Sequence, residues 1–148
     1  MKLLLDGATI TDLPSFTAQV ASAISRDADA APRYFGFDLH SLGDRLHGGF
    51  LGAPPYEVVV ERNAGMILAM GHGGLAQYCR DMLAIIDAGG RGLVQEDSRS
   101  WYEQTRAAAL RAEGPTLLDL LMDVVQAAPA SLTLLDDDGS VRPSARAP

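Results

Sequence analysis

Cysteine is nearly absent from this sequence of 148 residues, since Cys79 is the only one. A single cysteine excludes an intramolecular disulfide, so the fold has to be held by its core. Cys79 falls on the apolar side of a helix predicted over 75–87. This position favours a buried, unreactive thiol over a functional one.

Long hydrophobic runs are also missing. The apolar run over residues 1–6 is stopped by Asp6 and is too short for a signal peptide. No other run approaches the length of a membrane span. We therefore expect a cytoplasmic protein with no membrane partner.

Positive charge is scarce as well. The chain has 12 Lys and Arg against 19 Asp and Glu, a formal net charge of −7. This balance argues against a surface built to neutralise phosphates, so no direct nucleic-acid partner is expected. An acidic surface is suited to a basic protein partner, although the same charge also serves solubility alone.

Groups typical of catalysis are few. The three histidines are His40, His47 and His72. No Ser or Cys lies in a nucleophile elbow, and the Gly-rich segment 71–74 lacks the strand and Lys of a phosphate loop. We expect neither an enzyme nor a cofactor.

The residues that are present predict alternating strands and helices. Hydrophobic residues make up 47% of the chain, enough for a core at this length. Strands are predicted at 2–6, 56–61, 92–96 and 131–135, and helices at 12–24, 38–48, 64–70, 75–87, 101–112 and 117–128. The triplet Val58–Val60 indicates burial on both faces. This pattern predicts an α/β fold with a small, mainly parallel sheet of about three strands.

The most distinctive stretch is residues 34–46. An aromatic pair and a glycine precede an Asp that can open a helix. Three leucines at helical spacing then share one side, and three polar residues share the other. The leucines are Leu39, Leu42 and Leu46; the polar residues are His40, Asp44 and His47.

This stretch resembles the barstar family, intracellular inhibitors of barnase-type ribonucleases. The likeness rests on the strand and Asp-Gly turn of residues 1–7, the helix from Asp12, and the pattern of aromatics, Gly, Leu and Asp over 34–48. The order strand–helix–turn–helix–strand also matches. The resemblance implies a protein that occludes the active site of a basic ribonuclease or related toxin without doing chemistry.

The resemblance also implies the contact residues. In the family an aspartate on the second helix takes the place of the substrate phosphate, and by position it is Asp44. Tyr34 matches the loop aromatic that contacts the enzyme, and Asp81 matches a second acidic contact on a later helix. The candidate partner-binding residues are Tyr34, Phe37, His40, Asp44, His47 and Asp81.

Two residues depart from the family pattern. His40 stands where the family has an acidic contact residue, and Gly43 stands where it has Trp. The predicted binding face is therefore less acidic and less bulky than that of the family. A second interpretation follows, in which the protein keeps the fold as an interaction or scaffold protein with a changed partner and inhibits no ribonuclease.

The chain is also longer than the matched unit needs. We expect a barstar-like domain over 1–97, with 92–96 as its third strand, an extension over 98–136 that packs on it through Trp101 and Tyr102, and a disordered tail over 137–148. A second alignment makes 93–96 the middle strand, 132–135 the last strand and 51–90 an insertion. Ordinary loop lengths favour the first alignment.

His40, Asp44 and His47 leave one further alternative. Their spacing could place metal ligands on one helix face, but a third ligand there is geometrically poor and no other cluster would close the site. His40 beside Asp44 could instead form a pH-sensitive pair at an interface. No metal is expected.

Overall fold

The computed structural model describes residues 2–24, 38–48 and 55–142. Within these ranges the chain forms a mixed α/β fold, as expected from the sequence. The elements in chain order are β1 (Lys2–Asp6), α1 (Leu13–Ile24), α2 (Leu39–Gly48), β2 (Tyr56–Glu61), α3 (Ala64–Ala69), α4 (His72–Asp87), α5 (Arg99–Leu110), α6 (Leu117–Ala127) and β3 (Ala130–Leu134).

The three strands form one parallel sheet in the order β1-β2-β3. Leu3 lies opposite Val58, which lies opposite Leu132. Side chains alternate along a strand, so residues in this register share one face of the sheet. Leu3 and Val58 are buried in the core that the helices complete, whereas Leu4, which alternation places on the other face, is 58% exposed.

The central strand β2 is the most enclosed. Val58, Val59 and Val60 are exposed by no more than 5%, so the triplet is buried on both faces, as predicted. Its flanking residues Glu57 and Glu61 are exposed. A central parallel strand exchanges hydrogen bonds with neighbours on both sides, and this suits a continuous β-branched run.

The third strand lies elsewhere than expected. Residues 92–96 form no strand: Arg91 and Val94 make a single antiparallel bridge around Gly92, whose φ is +58°. The sheet is completed by β3, which belongs to the segment assigned to the extension. The strand prediction at 92–96 is therefore wrong, and neither proposed alignment of the later strands holds as stated. The predicted domain boundary at residue 97 stays a prediction, but the strand that was expected to complete the 1–97 domain does not form.

Helix α4 begins at His72, three residues earlier than predicted, and includes Gly73 and Gly74. Gly74 is required because a Cβ there would lie 2.0 Å from the carbonyl oxygen of Ala69. The glycine-rich segment thus allows α3 and α4 to approach each other closely. Residues 72–74 therefore belong to the helix and not to the break that the sequence predicts at 71–74.

Helices α5 and α6 follow α4 and pack on it. Arg99, at the start of α5, donates to Glu96 at 2.7 Å and to Asp87 on α4 at 2.7 Å. Thr116 caps α6 by accepting from the Asp119 amide, and the Asp119 carboxylate accepts from the Thr116 amide. This reciprocal cap fixes the start of α6.

The segment after β3 corrects part of the expected tail. The Asp136 amide donates to the carbonyl of Ser140, and the Arg142 amide donates to the carbonyl of Leu134. Gly139 adopts a φ of +80°, which lets the chain reverse there. Residues 137–142 are therefore part of a hydrogen-bonded turn, while 143–148 lie outside the described residues. No helix in the described ranges is long and apolar enough to cross a membrane.

Candidate functional site

Helix α2 has the two faces that its sequence predicts. Leu39, Leu42 and Leu46 are buried, with exposures of 7%, 0% and 1%. His40 and Asp44 lie on the outer face, where their side chains are 66% and 67% exposed. The His40 Nε2 and Asp44 Oδ2 atoms are 3.7 Å apart, one helical turn from each other. The buried leucines fix the orientation of the helix, and the Asp44 carboxylate is therefore held on its outer surface.

The start of α2 is fixed by Asp38 and Tyr78. The Asp38 carboxylate accepts from the Ser41 amide at 2.9 Å and from the Ser41 hydroxyl at 2.8 Å. The Leu39 amide donates to the Tyr78 hydroxyl at 3.1 Å. Two of the amides that a helix N-terminus leaves without carbonyl partners are thus satisfied by side chains. The second bond also ties α2 to α4.

The other predicted contact residues are distributed differently. His47 is exposed on α2, and its Nδ1 donates to the Gly43 carbonyl at 2.9 Å. Asp81 is exposed on α4, where it accepts from Gln77 of the same helix at 2.8 Å. The structure therefore groups His40, Asp44 and His47 on one helix face and places Asp81 on another helix. Tyr34 and Phe37 lie outside the described residues.

Gly43 points toward a neighbouring helix. A Cβ built on Gly43 would lie 3.3 Å from Cγ1 of Val124 on α6. A side chain at position 43 would require Val124 to shift by a few tenths of an ångström. Gly43 therefore lies at the border between the outer face of α2 and helix α6.

Sequence reasoning missed a groove at the N-terminal end of α2. It has a volume of about 520 Å³, and it is lined by the start of α2, by Tyr78 of α4, by the 93–98 turn, by α5 and by α6. Its lining is mostly apolar. Trp101 and Leu93 line it and are 49% and 61% exposed. Tyr102 is 8% exposed and docks α5 as predicted, whereas Trp101 remains half open to solvent.

Three aromatic rings are stacked edge to face in this groove. The ring centroids of Tyr78 and Tyr102 are 6.2 Å apart, and those of Trp101 and Tyr102 are 5.1 Å apart. Burial raises the pKa of both tyrosine hydroxyls, so they remain neutral donors and acceptors through the physiological range. The only sign of this groove in the sequence is the adjacent pair Trp101 and Tyr102. A single aromatic pair cannot predict a groove that five separate segments form.

Cys79 fits the expected inert thiol. It has no exposed surface, and burial raises its pKa to about 11. The thiolate, which is the nucleophilic form, is therefore scarce at neutral pH.

The described part of the chain contains no group of three or more His, Cys, Asp or Glu side chains arranged to hold a metal ion. What α2 can do chemically is to offer a carboxylate and an imidazole to a partner. Comparisons of the chain with protein-family models, with curated proteins and with solved structures found no match.

Proposed function

We propose that the protein is a barstar-like inhibitor, of the immunity or antitoxin type, that binds a basic ribonuclease or related toxin through the outer face of α2. The observation that carries this proposal is Asp44: its carboxylate is 67% exposed on a helix whose opposite face is anchored in the core. A carboxylate held in this way can meet several cations with little loss of conformational freedom.

Two further features support the proposal. The order β1, α1, α2 and β2 agrees with the order of elements on which the family resemblance rests. The net charge of −7 favours encounter with a basic enzyme over a neutral one. Inhibition would follow from steric occlusion and phosphate mimicry by Asp44.

A second candidate function is an interaction protein that keeps this fold and has changed its partner. Two observations favour it. His40 stands beside Asp44 where the family pattern has an acidic contact residue, and Gly43, which stands where that pattern has Trp, faces Val124 of α6. Such a protein would bind through the same region without inhibiting a ribonuclease.

The proposal is tested by inhibition of a barnase-type ribonuclease with wild-type protein, Asp44→Asn and Asp137→Asn. Asp137 is also an exposed carboxylate, and it lies beyond β3. We expect Asp44→Asn to weaken inhibition about tenfold or more, because a hydrogen bond to a charged group typically contributes about 1.5–3 kcal/mol. The Asp137→Asn protein should inhibit as wild type does. Equal inhibition by all three proteins would falsify the role of Asp44, and no inhibition by wild type would favour the changed partner.

A further inference from the structure

The groove beside α2 keeps large apolar side chains in contact with water. Six large hydrophobic residues are exposed in the described ranges, and two of them, Leu93 and Trp101, line this one groove. Apolar side chains that cluster at an open concave surface are typical of a binding site for another protein. Tryptophan in particular is enriched among the residues that dominate the energy of protein interfaces.

Acidic side chains form part of the groove lining. Its described lining residues include two carboxylates, Asp38 and Asp123, together with His40, and no Lys or Arg. Asp38 is only 2% exposed, and its two carboxylate oxygens accept from the amide and hydroxyl of Ser41, so it caps α2 and is not open to a partner. The mostly apolar lining therefore suits an apolar side chain, whereas an exposed carboxylate for a cation is supplied outside the lining by Asp44.

The groove is continuous with the outer face of α2. His40 lines the groove, and its imidazole is 3.7 Å from the Asp44 carboxylate. A partner that places a cation on Asp44 therefore has the groove within reach of its neighbouring residues. We propose that the groove binds a segment of the protein partner in which a large apolar side chain lies next to Arg or Lys. This inference rests on the proposed function, because it assigns to the same partner a second point of contact.

The experiment selects binders without assuming any ribonuclease. Random twelve-residue peptides displayed on phage are selected on the full chain, and tryptophan-free winners are synthesised. Trp101 is the only tryptophan of the chain, so its fluorescence reports on the groove directly. We expect the selected peptides to combine Arg or Lys with Leu, Phe or Ile, and to shift the Trp101 emission on binding.

A matched pair of leucine variants tests the location. Leu93→Ser removes an apolar side chain from the groove, whereas Leu110→Ser removes one of similar exposure, 64%, from the same helix as Trp101 but outside the groove lining. We expect Leu93→Ser to weaken peptide binding about tenfold, as for the loss of one buried apolar side chain. The Leu110→Ser protein should bind as wild type does.

Three results would overturn the inference. The first is that selection yields no peptides, or acidic ones. The second is that the two leucine variants bind the peptides with equal affinity. The third is that the protein self-associates in sedimentation and Leu93→Ser abolishes this, which would assign the groove to a second copy of the chain. The outcome is separable from that of the proposed function. If the protein binds such peptides through Leu93 but inhibits no ribonuclease, the inference about the groove holds and only the proposed inhibitor function fails.

Discussion

The outer face of α2 and the groove beside its N-terminal end are neighbours, but they are built differently. The face belongs to one helix and is polar, with Asp44 and His40 standing in solvent. The groove is assembled from α2, α4, α5, α6 and the 93–98 turn, and it is mostly apolar. The face can supply charge and orientation to a partner, whereas the groove can supply buried apolar area. A surface that joins the two has the usual parts of a protein interface.

The largest expected effect tests whether the two faces of α2 have separate roles. Leu42 has no exposed surface, so Leu42→Ala should lower the free energy of unfolding by about 2–5 kcal/mol. Asp44→Ala, two residues away on the outer face, should change it by less than about 0.5 kcal/mol. Urea unfolding followed by circular dichroism measures both. Comparable losses in the two variants would show that the outer face is part of the structural core.

The next effect tests the border between the face and α6. Gly43→Trp should destabilise the protein by about 1–3 kcal/mol, because the new side chain meets Val124. Gly73→Trp is the matched control, since a Cβ at Gly73 on α4 meets no atom within 4 Å. We expect the control to be at least as stable as wild type in the same urea titration. A Gly43→Trp protein of wild-type stability would mean that α6 does not hold this position in solution.

A smaller effect tests the link between the groove and α2. Tyr78→Phe removes the hydroxyl that accepts from the buried Leu39 amide, and should cost about 1 kcal/mol. Amide hydrogen exchange is the sharper measurement. Exchange at Leu39 should accelerate, while the Leu75 amide, which donates to the Gly71 carbonyl at 3.0 Å, should remain protected. Unchanged exchange at Leu39 would contradict the bond.

A further effect appears only above neutral pH. Burial raises the pKa of Cys79 from 9.0 to about 11, so the neutral thiol is favoured in the folded state. Below pH 9 the thiol is neutral in both states and its contribution to stability is complete. As the pH rises from about 9 to about 11, the unfolded chain loses the proton first and this contribution is lost. The stability of wild type relative to Cys79→Ala should therefore fall across this window in urea titrations, and a constant difference would contradict the burial.

The local features of the chain could be predicted from sequence because they depend on neighbours within one turn or one strand. The leucine stripe of α2 follows from helical periodicity, and the burial of Val58–Val60 follows from β-branched composition. The start of α1 is equally local, since the Asp12 carboxylate accepts from the Ser15 amide at 2.8 Å. These predictions needed no knowledge of how the elements pack.

The errors arose where the outcome depends on distant parts of the chain. Local composition predicts a strand at 92–96, but that stretch turns at Gly92, and the place beside β2 is taken by β3. Strand pairing brings together residues far apart in sequence, so local composition decides it poorly. The start of α4 was misjudged for a similar reason, since Gly74 serves the contact with Ala69 rather than a break.

By itself, the sequence determined the α/β class, the strands β1 and β2, the two faces of α2 and the exposure of Asp44, because each follows from periodicity within a single element. The tertiary structure alone decided which strand completes the sheet, that α6 fills the space beside Gly43, and that Leu93 and Trp101 share one groove. These features are contacts between distant segments, such as Gly43 and Val124, and their geometry exists only once the helices pack on the sheet.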